Sequence, residues 1–316
     1  MMRITIMGSG GVGGILGLRL QQAGHDVTFV ARGRHLDALR ADGLRLIAPQ
    51  GVTHLPVRAV ATPQEAGAAD VIVVAVKHYD LEAAAATLRP AMGPGTVVVP
   101  FLNGVDAPTI LAGTLGAEAV AAGVARVGAV VDSPGVLKQS SPFADFLTGP
   151  LRPAQEGVLR ALVATGPAPG ATLGYSDDIV LEQWKKLCFL APFSALTSLT
   201  RSPCGVPRGI PQTAELFWAA ITEAVAVGRA LGVRLPQGLD ETLWSFVLGL
   251  PAQMKSSMLE DLERGKPLEL PWLSGAVVRL GHSCGVSTPV HAFICAALAP
   301  FAGGQPPAKE GAVEAE

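Results

Sequence analysis

Four short runs of apolar and β-branched residues mark the first hundred positions: "ITIM", "VTFV", "VIVVAV" and "VVVPF". Each is apolar or β-branched on both faces. Each therefore predicts a strand buried on both sides, as in a parallel sheet. The strand candidates are Arg3–Met7, Val27–Val30, Asp70–Val76 and Thr96–Phe101. Between them, "GVGGILGLRLQQAG", "RHLDALRADG" and "YDLEAAAATLRPAMG" repeat apolar residues at helical spacing and stop at Gly or Pro. Strand–helix alternation predicts an α/β class with a doubly wound parallel sheet. Residues 44–60 carry Pro and Gly and interrupt the alternation, so an irregular or hairpin insertion is expected there. Residues 120–150 hold two or three more strand-like runs, "VAAGVARVG", "GVLKQS" and "ADFLTG".

From about Ser176 the pattern changes. "SDDIVLEQWKKLCFLA" opens with a Ser-Asp-Asp cluster suited to capping a helix. Five more segments of helical spacing follow: "TAELFWAAITEAVAVGRALG", "LDETLWSFVLGL", "MKSSMLEDLERG", "ELPWLSGAVVRLGHSCG" and "VHAFICAALAP". The second half is expected to be all helical. A chain of 316 residues accommodates about two domains. The expected division is 1–174 for the α/β domain, 175–304 for the helical one, and 305–316 as a flexible polar tail.

Composition narrows the function. Charged residues make up 16% of the chain and the formal net charge is -2, so no basic field favours nucleic acid or an anionic membrane surface. No apolar stretch reaches the roughly 18 residues of a spanning helix. The N-terminal "MMRITIM" meets glycines too early for a secretory leader and reads as a first strand. Cys188, Cys204, Cys284 and Cys295 have neither zinc spacing nor the density of a disulfide scaffold. They predict reduced thiols in a cytoplasmic protein with no metal. A homodimer is compatible with this reading but nothing in the sequence requires it.

The candidate chemistry begins at "MGSGGVGG". Gly8-Ser9-Gly10-Gly11-Val12-Gly13 follows a strand and opens a helix, the context in which a GxGxxG string predicts a dinucleotide-binding loop of Rossmann-like type. Gly8 allows the turn, Gly10 lets the pyrophosphate approach, and Gly13 lets helix and strand pack. The second strand runs into "ARGR" where an NAD site would carry Asp or Glu. Arg32 can pair with a 2′-phosphate, so NADPH is favoured over NADH. Two further strands deliver Lys77 and Asn103 to the same edge. Asn103 is the only asparagine in the chain, and the Asn-Gly pair reads as a ligand contact or as a plain turn. In "LEQWKKLCFL" the bland explanation of Lys185 and Lys186 is an ion pair with Glu182, and periodicity does not choose between the two lysines.

Taken in order and spacing, "MGSGGVGG", "AVKHYD", "FLNGV", "EQWKKLCF", "ALTSL", "KSSMLEDLERGKPLEL" and "GVSTPV" resemble the ketopantoate reductase (2-dehydropantoate 2-reductase) family over the chain to about residue 300. The resemblance implies a Rossmann-like domain and a helical domain that bind NADPH and a small 2-oxo acid. It implies that Lys186, the lysine directly before Leu in a W-x-K-L pattern, is the proton donor. Glu269 lies twelve residues past the second Ser of S-S-M and matches the family's glutamate. By the same matching Ser257 holds the substrate carboxylate, Asn103 touches cofactor and substrate, and Lys77 and Arg32 touch the cofactor.

The match is incomplete on the substrate side. Leu190 and Ser194 stand where many members have asparagines four and eight residues past the lysine. Pro271 replaces an acid, and Ser274 an asparagine. The expected activity is reduction of ketopantoate to pantoate in pantothenate synthesis. The alternatives are another 2-oxo acid as substrate, with a less polar pocket, and a non-catalytic NADPH sensor.

Overall fold

The computed structural model describes residues 1–304; the polar tail expected at 305–316 lies outside the described residues. The strands are β1 Arg3–Met7, β2 Asp26–Val30, β3 Leu44–Ala48, β4 Gly51–Leu55, β5 Arg58–Val60, β6 Ala69–Val74, β7 Met92–Pro100, β8 Ala122–Ser133, β9 Val136–Gly149 and β10 Thr172–Tyr175. The chain divides into two compact units, Met1–Gln183 and Trp184 onward.

In the first unit β5-β2-β1-β6-β7 form a parallel sheet, as the valine-rich runs predict. Ile4, Ile6, Val71, Ile72, Val73 and Val74 are buried, so neither face of the central strands meets water. One face packs on helices Leu81–Leu88 and Ala107–Leu115 through Leu81, Leu88, Leu111, Ile72 and Val74. The other shares a core with helix Gly11–Gln22 and a second sheet, through Ile15, Leu18, Phe29, Leu46, Leu137 and Phe146. That second sheet has the order β10-β9-β3-β4, with β8 antiparallel to β9. Phe101 and Phe146 meet edge to face at 5.5 Å.

Two expectations are refined here. The insertion at 44–60 is the hairpin β3–β4, followed by β5, which returns to the first sheet beside β2. "GVLKQS" and "ADFLTG" are not two strands but parts of the single 14-residue β9. Pro142 signals a break because it cannot donate to a ladder. Side chains repair the gap: Gly128 N–H donates to Ser141 Oγ at 2.9 Å, and Gln139 Nε2 donates to the carbonyls of Ser141 and Phe143 at 2.9 and 3.3 Å. Helices Ala107–Leu115 and Glu156–Thr165 and the four-residue β10 are additional to the expected elements.

Helix Ile179–Leu199 begins in the first unit and continues into the second. Beyond it all assigned elements among the described residues are helical, including Pro211–Ala230, Leu239–Gly249, Ser257–Glu263, Ser274–Cys284 and Pro289–Leu298. Gly228 lets two of these helices meet closely, since a Cβ there would lie 2.8 Å from the Trp184 ring. Glu223 closes the N-terminus of Pro289–Leu298, accepting from the N–H groups of Val290 and His291 at 2.8 and 3.0 Å.

His291 is fully buried and its Nε2–H donates to the Ala220 carbonyl at 3.0 Å. Burial pushes its pKa down to about 4. The unfolded chain protonates this ring near the ordinary histidine value and the folded chain only near 4, so unfolding takes up a proton between the two. Stability from this residue is therefore full above about pH 6.5 and falls as pH drops toward 4, by roughly 3 kcal/mol across the window. Glu223 acts in the opposite sense, because burial raises its carboxyl and the folded state gains that proton first. Urea unfolding of wild type should show this acid loss, and His291→Gln, which keeps a donor toward Ala220, should flatten it. An equally steep loss in the variant would assign the acid sensitivity to other groups.

Candidate active site

Every strand of the first sheet runs the same way, so the loops after β1, β2, β6 and β7 emerge at one edge. The register pairs Met7 with Val30 and with Val74, and Val74 with Pro100. β1 lies between β2 and β6, and the connections on either side of it diverge, which opens a crevice where ligands bind in such sheets. Gly8–Gly13, Arg32, Lys77 and Asn103 all follow these strand ends.

The glycine loop has the geometry its spacing predicts. Gly8 has φ +101°, and a Cβ there would sit 2.8 Å from the backbone of Ala75 and Val76. A Cβ on Gly13 would collide with the Gly8 carbonyl oxygen. Gly10 differs from both: a Cβ there would meet nothing within 4 Å. Gly10 caps helix Gly11–Gln22, no side chain fills the cap, and no acidic residue occupies the first turn. An N-terminus of this kind offers N–H groups and a positive dipole end to an anion. Ser9 is buried, with its hydroxyl 3.3 Å from the Val30 carbonyl. A dinucleotide pyrophosphate fits this cradle.

Arg32 leaves the end of β2 with its side chain 79% exposed and sits 3.3 Å from Asp80. Asp80 belongs to the turn His78–Asp80, which Lys77 initiates. The loops after β2 and β6 thus converge on a charged pair that the sequence pattern did not single out. Lys77, Asn103 and Gly104 are partly buried, and Gly104 turns the chain with φ +86°.

In the second unit Lys185 and Lys186 are both partly buried, beside the buried Trp184, Leu187 and Cys188. Burial pushes the Cys188 thiol up to about 12, which removes it as a nucleophile. One turn before the lysines, in the first unit, Glu182 accepts from Arg126 of β8 at 2.8 Å. Leu190 is partly buried. Ser194 is wholly buried, and its Oγ, like those of Ser198 and Ser274, has no hydrogen-bonding partner among the described residues.

The helix bearing Lys186 is tied to the segment bearing Ser257. Thr197 donates to the Phe193 carbonyl at 2.7 Å, so the Ser256 hydroxyl must be the donor in the 2.7 Å contact between Ser256 and Thr197. Ser256 Oγ in turn accepts from Leu259 N–H at 3.1 Å, capping helix Ser257–Glu263. Ser257 itself is exposed, whereas Glu269 is 5% exposed at the start of the turn Leu270–Trp272. Thr197 and Ser256 lie 59 positions apart, and no periodic signal joins them.

Known proteins resemble this chain along most of its length. A family model described as Ketopantoate reductase PanE/ApbA matches residues 4–152, and its C-terminal counterpart matches residues 178–302. The chain is 34% identical over 309 residues to a 2-dehydropantoate 2-reductase of Mesorhizobium japonicum, covering 91% of this chain and 94% of that one. A PanE/ApbA family ketopantoate reductase structure from Ralstonia eutropha superposes with TM-score 0.85 at 29% identity, covering 95% and 98% of the two chains. A D-mandelate dehydrogenase structure with NADH and anilino(oxo)acetate has TM-score 0.85 at 19% identity, over 95% and 97%, and shares the fold.

Proposed function

The chain belongs to the ketopantoate reductase family, and from that membership we propose that it reduces ketopantoate to pantoate with NADPH, the step that serves pantothenate synthesis. It is an oxidoreductase acting on a 2-oxo acid. The observation that carries the cofactor reading is the open cradle at Gly10, next to a β2 end that exposes Arg32 where a carboxylate would bind an unphosphorylated ribose. The four free cysteines support a cytoplasmic setting.

Bound NADPH supplies the hydride that the 2-oxo carbon accepts. In the proposed site Lys186 hydrogen-bonds the 2-oxo oxygen, stabilises the negative charge that gathers there and leaves a proton on it. Glu269 accepts from the substrate hydroxyl and keeps Lys186 oriented and charged. Ser257 donates to the substrate carboxylate, Asn103 contacts substrate and cofactor, and Lys77 contacts the cofactor.

A second reading rests on the residues that replace the family's asparagines. The Leu190 side chain has no hydrogen-bonding atom and Ser194 is wholly buried, so neither replaces the polar contact an asparagine would offer a substrate hydroxyl, which favours a bulkier, less hydroxylated 2-oxo acid. NADPH oxidation followed across 2-oxo acids with and without a 4-hydroxyl and 3,3-dimethyl groups decides between the two. The highest kcat/KM on ketopantoate is expected. A higher value on an acid lacking the hydroxyl would favour the second reading, and NADPH binding without turnover of any acid would make the chain a sensor.

Arg32→Ala tests the nucleotide. NADPH affinity should fall about ten- to a hundredfold, the loss of charge-assisted bonds to a phosphate, with NADH affinity nearly unchanged. A wild-type preference for NADH would remove the 2′-phosphate argument.

A further inference from the structure

We propose that His35 is a positioning residue for the dinucleotide: its imidazole sets the orientation of the Ser9–Gly10 peptide inside the glycine loop by bridging that peptide to the β8–β9 turn. The inference rests on the cofactor reading above and adds a residue to it.

His35 lies in the first turn of helix Gly33–Asp42, three residues past Arg32. Both ring nitrogens are engaged. The Gly135 N–H points at Nδ1 at 3.1 Å, and Nε2 lies 3.0 Å from the Ser9 carbonyl oxygen. A backbone N–H can only donate, so Nδ1 is the acceptor. Nε2 then carries the ring proton and donates to Ser9. The tautomer follows from the network, because a carbonyl and an N–H face the two ends of one neutral ring.

The contact matters because of which peptide it holds. In a trans peptide the carbonyl and the following N–H point in opposite directions. Fixing the Ser9 carbonyl on His35 therefore fixes the Gly10 N–H pointing away from it. Gly10 is the residue whose surroundings are open, at the mouth of helix Gly11–Gln22. A floppy peptide at that point would have to be ordered by the ligand, and the ordering would be subtracted from affinity.

The other end of the bridge is firm. Gly135 has φ +77°, its carbonyl accepts from Arg45 N–H at 2.9 Å, and a Cβ there would lie 3.1 Å from Ala38 Cβ. The hairpin also supports the loop directly, since a Cβ on Gly11 would press on Ala129 of β8 at 2.6 Å and one on Gly14 on Leu137 of β9 at 2.5 Å. The second sheet thus buttresses the nucleotide loop, and His35 is the polar tie between them. His35 and Gly135 are 100 positions apart.

Three variants separate this role from simple packing. Glutamine can place its amide nitrogen near the Nε2 position and keep the bond to Ser9. Asparagine can place its oxygen near Nδ1 and keep only the bond to Gly135. NADPH affinity is read by fluorescence titration of the full chain, and kcat at saturating NADPH with ketopantoate. His35→Ala and His35→Asn should each weaken NADPH binding about five- to thirtyfold, while His35→Gln stays within about twofold and kcat changes little in any of them. If His35→Ala fails to fold, the Gln–Asn comparison still decides. Equal affinity in Gln and Asn variants, whether both wild-type or both weakened, would overturn the role through Ser9. A wild-type protein that binds no NADPH would overturn the cofactor reading beneath it.

Discussion

Lys186→Ala is expected to lower kcat about 10²–10⁴-fold, the usual range for a lost general acid, while Lys185→Ala changes it only a few-fold. The two lysines are neighbours on one helix and both partly buried, so general damage to the helix would affect both. A difference of two orders of magnitude between them would therefore report chemistry. NADPH titrations of both variants should match wild type, because Lys186 is assigned to the substrate's 2-oxo oxygen and not to the nucleotide. Comparable kcat losses in both, or a loss in Lys185→Ala alone, would put the proton donor elsewhere. Retained turnover in Lys186→Ala would sink the proposed mechanism while leaving the family membership untouched.

Gly10→Ala should reduce dinucleotide affinity about a hundredfold with little change in stability. Its backbone, φ -74° and ψ -163°, is one that alanine adopts freely. The new methyl meets no protein atom within 4 Å, so the folded state accepts it, at a cost below about 1 kcal/mol for the altered cap. It does occupy the space proposed for the pyrophosphate, and steric overlap of one methyl is worth about 1–3 kcal/mol. Gly17→Ala is the control of opposite sign. Its Cβ would lie 2.6 Å from Phe29 Cε1 in the core, so it should lower the melting temperature and leave the affinity of the folded protein intact. Should Gly10→Ala bind NADPH as wild type does, the open space at Gly10 is not the pyrophosphate site.

Much of this protein is written in local patterns. The runs at β1, β6 and β7 predict buried parallel strands because a central strand must satisfy water exclusion on both faces with its own side chains. The glycine loop is legible for the same reason: a tight turn, an open approach and a close helix–strand contact each demand the absence of a side chain at one fixed offset. The helical second half follows from periodicity alone. The motifs around Lys186, Ser257 and Glu269 stand out by their order and spacing, which resemble the family's without saying what each side chain touches.

Tertiary structure decided what depends on residues far apart in the chain. β5 and β10 are too short to carry a pattern, and pairing with β2 and β9 makes them strands. β9 continues past Pro142, where the Gln139 side chain donates to the Ser141 carbonyl and the Ser141 hydroxyl accepts from Gly128 N–H beside the proline. Arg126 beside Glu182, Asp80 beside Arg32, Ser256 on Thr197 and His35 between Ser9 and Gly135 are all polar contacts across 48 to 100 positions, apart from the short reach of His35 to Ser9. Hydrophobic burial repeats with the period of the element and so leaves a trace along the sequence. A single hydrogen bond has no period, and only folding brings its donor to its acceptor.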